Sequence, residues 1–108
     1  MVSNKYEFTE TAIKDLDKIL NYISNVLLNP ISAKSFFDNI EEKISKICDF
    51  PESCPILEND YIVKKDIRKT IVDNYIIYYS FDENKHTVFI LRIVYGKRNL
   101  EVIIKSII

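Results

Sequence analysis

Glycine is almost absent from this chain. One residue in 108, Gly96, is glycine, and there is no tryptophan and a single histidine, His86. One glycine cannot build a phosphate-cradling loop, which needs several backbone positions free of Cβ. One histidine and two cysteines, Cys48 and Cys54, do not make a metal-ligand spacing or a redox pair. No cofactor is therefore expected, and Cys48, on an apolar helical face, is expected to be a buried thiol. No apolar run approaches the roughly 20 residues of a membrane span. The start, "MVSNKYEFTE", lacks the apolar core of a secretory signal. A cytoplasmic protein with no membrane partner is expected. The length suits a single domain over residues 1–108.

Charge is balanced overall, at −1, but unevenly distributed. Residues 1–60 carry 6 Lys/Arg and 11 Asp/Glu, a net of −5, whereas residues 61–108 carry 9 and 5, a net of +4. Such asymmetry suggests one basic face.

The first half is helical in pattern. After a short apolar–polar alternation at residues 4–8, with Tyr6 and Phe8 on one side, Thr9 is a good N-cap. Ala12, Leu16, Ile19, Leu20, Ile23 and Leu27 then form one stripe. Asn29 and Pro30 suit the cap and first turn of a second helix. Its stripe is Ala33, Phe36, Phe37, Ile40, Ile44, Ile47 and Cys48, with Pro51 as the stop. The pair predicts an antiparallel helical hairpin.

From residue 61 the period changes to that of strands. "YIVKKDIRKTIVDNYIIYYSF" and "HTVFILRIVY" are rich in Ile, Val, Tyr and Phe, with turns near Val72–Asn74 and Asp82–Lys85. The tail, "NLEVIIKSII", fits a short C-terminal helix or an edge strand, because isoleucine suits both. The expected class is α+β, in the order β-α-α-β-β-β, with the hairpin packed on one face of a mainly antiparallel sheet.

Chemistry is concentrated in the basic half. Lys64, Lys65, Arg68 and Lys69 lie on or before the first strand of the meander, Arg92 lies inside the last, and Lys97 and Arg98 follow Gly96. Tyr75, Tyr78, Tyr79 and Tyr95 are interleaved with them. Cations beside aromatic rings suit single-stranded nucleic acid, through phosphate neutralisation and base stacking, and equally suit an acidic protein. Glycine at position 96 is expected to permit the backbone turn that ends the last strand. His86 is expected in an exposed turn.

These segments, "TETAIKDLDKILNYI", "NPISAKSFFDNIEEKI", "DFP", "IRKTIVDNYIIYYSF" and "VFILRIVYGKR", resemble the RelE/ParE superfamily of bacterial type II toxins over nearly the whole chain. The resemblance implies a growth-inhibiting toxin neutralised by a cognate antitoxin, as a dimer or as a hetero-oligomer with that antitoxin. One branch of the superfamily comprises ribosome-dependent mRNA interferases, which cleave RNA by 2′-hydroxyl attack; the other binds DNA gyrase. Carried over residue by residue, Arg98 and Lys69 match nuclease positions, and Arg92 and Tyr95 are candidates for phosphate binding and proton transfer. An arginine of that pattern is here Ile76, however, and a tyrosine is Ile104. The chain therefore looks closer to ParE, with Lys64, Lys65, Arg68, Lys69, Tyr78, Lys97 and Arg98 as the target- or RNA-binding set. The alternatives are an mRNA interferase acting on the translating ribosome, and a non-toxic member that binds only an antitoxin.

Overall fold

The computed structural model describes residues 4–56, 67–98 and 100–107, without the side chains of Leu100 and Glu101. The elements run β1 (Lys5–Phe8), α1 (Glu10–Asn21), a π-helical turn (Tyr22–Val26), α2 (Pro30–Asp49), β2 (Ile67–Val72), β3 (Tyr75–Asp82), β4 (Thr87–Tyr95) and α3 (Leu100–Ile107).

Local chemistry sets the helix starts. The Thr9 hydroxyl accepts from the Ala12 amide at 3.1 Å, and Asn29 Oδ1 accepts from the Ser32 amide at 3.1 Å, with Pro30 at the start of α2. Each cap satisfies an amide that has no partner within its helix. α2 stops at Asp49, just before Pro51. Two residues expected in the helical stripes leave the core. Leu27 is 55% exposed, because the π turn, closed by Leu27 N–H donating to the Tyr22 carbonyl, winds more residues per turn and rotates it off the α1 stripe. Phe37 is also exposed, since Phe36 occupies the buried side of α2.

The four strands form one sheet in the order β1-β4-β3-β2. β2, β3 and β4 are an antiparallel meander, and β1 pairs parallel to β4, so the sheet is mixed at one edge. β2 and β3 turn at Asp73–Asn74, and β3 and β4 at Glu83–His86. Asp73 and His86 hold positive φ values of 54° and 48°. Tyr6 and Phe8 share a side of β1, their rings 6.0 Å apart and edge to face.

The core has two parts, one on each face of the sheet. On the first face α1 and α2 bury Leu16, Ile19, Phe36, Ile40, Ile44, Ile47 and Cys48 against Val72, Ile77, Tyr79, Val88, Ile90 and Ile93. On the second, α3 buries Ile103 and Ile104 against Ile67, Tyr78 and Val94. The tail is thus a helix, and it covers the sheet face that the helical hairpin leaves uncovered. Each aliphatic side chain so buried contributes about 1.5–3 kcal/mol.

A bulge in β4 decides which residues reach which face. Tyr78 pairs with Arg92 but Tyr79 pairs with Ile90, so Leu91 is the extra residue. Strict alternation would place Arg92 on the same face as Val88 and Ile90, in the helix-facing core. The bulge reverses the alternation. Ile93 takes the core position, and Arg92 and Val94 turn toward α3.

Candidate functional site

Arg92 is the most constrained of the expected site residues. Its Nε donates to Asp15 Oδ2 at 2.7 Å and its Nη2 to Asp15 Oδ1 at 3.0 Å, while Nη1 donates to Ser106 Oγ at 2.6 Å. The two side chains of the ion pair are only 10% and 12% exposed. β1 ends opposite Ile90, leaving the next edge amide of β4 without a strand partner; Asp15 Oδ2 accepts from the Ile93 amide at 3.1 Å. One carboxylate on α1 thereby closes the sheet edge, and one guanidinium ties α1 and α3 to β4. Planar, bidentate geometry makes arginine suited to this role. Arg92, expected to bind phosphate, is here a buried structural link.

Tyr78 is likewise removed from the surface. It is 3% exposed beneath α3, and burial pushes its phenol pKa up. A ring so covered offers no face for a base to stack on. Ile76 packs against the same cluster and Ile104 is fully buried in it. Both positions where the nuclease pattern has polar chemistry therefore lie in apolar packing.

Arg68 points to the other side of β2. It pairs with Tyr79, and its Nη1 donates to the carbonyls of Glu52, at 3.3 Å, and Cys54. It fastens the segment after α2 to the sheet. Lys69, opposite Tyr78, is half-buried on the α3 side. Lys64 and Lys65 lie outside the described residues.

The remaining members gather at one end of the sheet. Tyr95, 43% exposed, closes β4; its ring centre lies 5.7 Å from that of Tyr75, which lies 5.0 Å from Phe36 of α2. Burial pushes the Tyr75 phenol pKa up, and Tyr22 and Tyr95 add to the shift. Tyr95 thus joins an aromatic row on the hairpin side, away from Lys69. After it, Arg98 N–H donates to the Tyr95 carbonyl at 3.0 Å, forming a turn whose Lys97 and Arg98 are exposed. Ile71, Asp73, Asn74, Tyr75, Ile76, Tyr95, Gly96 and Lys97 line a shallow cavity of ≈ 260 Å³ at this end.

Gly96 has a different reason from the one expected. Its φ is not positive. Its amide donates to the Asn74 carbonyl at 2.9 Å, and a Cβ built there would lie 3.3 Å from that oxygen and 3.7 Å from the Ile76 side chain. Glycine lets the end of β4 lie close against the β2–β3 turn.

His86 is exposed in the β3–β4 turn and Cys48 is buried, both as expected. Among the described residues no group of three His, Cys, Asp or Glu is placed to hold a metal ion, and no helix is long and apolar enough to cross a membrane.

Over residues 6–100 the sequence matches the family described as the ParE toxin of the type II toxin-antitoxin system, parDE. The chain belongs to the ParE toxin family. It is a toxin of a type II toxin–antitoxin system, within the wider RelE/ParE superfamily. No curated protein matches it in sequence. Solved structures of toxin–antitoxin systems are similar in fold. The toxin–antitoxin complex RelBE2 from Mycobacterium tuberculosis has a chain 22% identical, with a TM-score of 0.61, over 87% of this toxin and 99% of that chain. The chromosomal ParDE toxin–antitoxin system from P. aeruginosa has one 18% identical, with a TM-score of 0.69, over 88% of this toxin and 98% of that chain. Helices on a mixed four-stranded sheet, with a short C-terminal helix, are the shared architecture.

Asp15 and Ser106 were absent from the sequence-based set. Asp15 did leave a signal, being an acid three residues after Ala12 and four before Ile19, on the border of the apolar stripe. Ser106 left none, since its role depends on where α3 lies.

Proposed function

We propose that this toxin inhibits growth by binding an essential target, DNA gyrase, rather than by cutting RNA. The observation that carries the proposal is the apolar packing at Ile76 and Ile104, together with the Asp15–Arg92 pair. RNA cleavage needs exposed cations on the phosphate and a group to move protons. On the α3 side of the sheet those positions are isoleucine or are engaged in the fold. What remains exposed is a binding surface: Lys97 and Arg98 at the sheet end beside Tyr95, with half-buried Lys69 as a further contributor. Rim charges of this kind set association rate and orientation.

A cognate antitoxin acting in the cytoplasm is part of the same reading. Those similar structures are toxin–antitoxin complexes. An acidic segment that folds on binding fits the basic half and masks Arg98.

Two assays on the purified toxin test the target. In gyrase supercoiling, the wild type is expected to inhibit, and a Lys97→Ala/Arg98→Ala variant to need about tenfold more protein for the same effect. In primer extension on translated mRNA, no toxin-dependent cuts are expected. Untouched supercoiling together with new cuts overturns the proposal in favour of an mRNA interferase using Arg68, Lys69, Tyr95 and Arg98.

A further inference from the structure

The end of the sheet opposite Lys97 and Arg98 carries the reverse charge. Two adjoining cavities lie there, where the β3–β4 turn meets the segment after α2. The first, ≈ 500 Å³, is lined by the apolar Phe50, Pro51 and Phe81 and by the carboxylates of Asp49, Glu52 and Glu83. The second, ≈ 520 Å³, shares Phe81 and Glu83 and adds Asp82, Phe89 and Leu91. Among the described residues no lysine or arginine lines either cavity. Phe50 is 63% exposed at the end of α2, and a ring so exposed adds little to its own fold. Glu52 and Glu83 are exposed, and among the described residues their carboxylates meet no ion-pair or hydrogen-bond partner. α2 ends beside them, and the negative end of a helix dipole favours a cation.

We propose that the two cavities form one groove for an extended, arginine-bearing peptide segment of a partner protein. Charge selects the occupant. Carboxylates with no cation among them draw a basic chain, and they repel nucleic acid and an acidic antitoxin segment alike. The apolar lining selects its side chains. An exposed phenylalanine ring stacks on a guanidinium, while Phe89 and Leu91 take an apolar neighbour. Cavities of this size hold more than one ammonium group, and their continuity around the β3–β4 turn fits an extended chain. A second copy of the toxin does not supply such a chain, because its Lys97 and Arg98 are held in a tight turn after β4. The groove lies roughly 25 Å from that turn, the length of β4. A partner can therefore sit here while the gyrase surface is engaged, and the two tests fail separately.

The test is an NMR titration of the isotope-labelled full-length toxin at about pH 8, where histidine is ordinarily neutral. The probe is a short peptide of alternating arginine and leucine. It is expected to shift the amides of Phe50, Ser53, Glu83 and His86 saturably, with a Kd on the order of 10 µM. Glu52→Gln/Glu83→Gln is expected to raise that Kd at least about tenfold, and Lys97→Ala/Arg98→Ala to leave it unchanged. If the glutamine pair misfolds, Phe50→Ala serves instead, with a rise of at least about threefold. No saturable shift up to about 1 mM peptide overturns the proposal. So does equal binding by the folded groove variants, or by the same peptide with glutamate in place of arginine. Arginine amide binding as tightly as the peptide overturns it in favour of a small-cation site. Groove amides that move with toxin concentration alone overturn it in favour of a second copy.

Discussion

The Asp15–Arg92 pair separates a structural arginine from a functional one. A buried ion pair contributes little compared with a well-packed apolar pair, but removing one partner strands the other charge. Arg92→Ala is therefore expected to destabilise the toxin by about 3–5 kcal/mol, and an apolar pair, Asp15→Leu with Arg92→Met, to recover only part of that loss, because the Ile93 amide then loses its acceptor. Urea unfolding measures both. An Arg92→Ala protein that keeps wild-type stability yet loses toxicity would return Arg92 to the functional surface. At this scale the sequence was legible wherever a residue acts on its neighbours. Thr9 and Asn29 cap helices because their side chains reach amides three residues on. Gly96 was legible only in part: its importance was visible, but the close approach of Asn74, more than twenty residues away, was not.

Among the elements, α3 alters the functional reading most. Isoleucine serves a helix or a strand, so the tail's form stays open until it has a surface to pack on. The α3 side of the sheet supplies one. Ile104 is fully buried there with Ile103, against Ile67, Tyr78 and Val94. Ile104→Ala is expected to cost about 2–5 kcal/mol, the lost transfer energy plus a cavity, read as a lowered calorimetric midpoint. The same burial explains why Tyr78, on the face away from the hairpin, is not an exposed ring. The β4 bulge is a second case. A run as continuous as "VFILRIVY" shows no break in alternation, and the extra residue, Leu91, appears only in its pairing with β3.

At the scale of the whole molecule, tyrosine burial couples stability to alkaline pH. Burial pushes the phenols of Tyr75, Tyr78 and Tyr79 above their ordinary value, the largest shift being that of Tyr79, whose hydroxyl donates to the Pro51 carbonyl at 2.9 Å. The unfolded chain titrates its tyrosines near pH 10. Below that, both states hold their protons and the tyrosine contribution is constant. Above it the unfolded state releases protons first, so stability falls as pH rises. Each such tyrosine contributes a slope of at most about 1.4 kcal/mol per pH unit, confined to the interval between its unfolded and folded pKa. Urea midpoints are expected to fall above about pH 10, less steeply in Tyr79→Phe. A midpoint indifferent to pH in that range would mean these phenols are hydrated in the folded state.

By itself the sequence determined the elements as far as the tail, their order and the superfamily. Hydrophobic period, caps and prolines act within a few residues, so a linear chain carries them openly. The meander, the paired helices and the basic end at Lys97–Arg98 follow from such local rules. The tertiary structure alone decided how the sheet is covered on both faces, how the β4 bulge turns Arg92 out of the core, and which partners hold it. These depend on contacts such as Asp15 with Arg92, 77 residues apart, and on α3 folding back over a sheet that must form before the helix has anything to bury against. The candidate surface shrank for the same reason. Side chains that look like chemistry in the sequence become structure once a distant segment meets them.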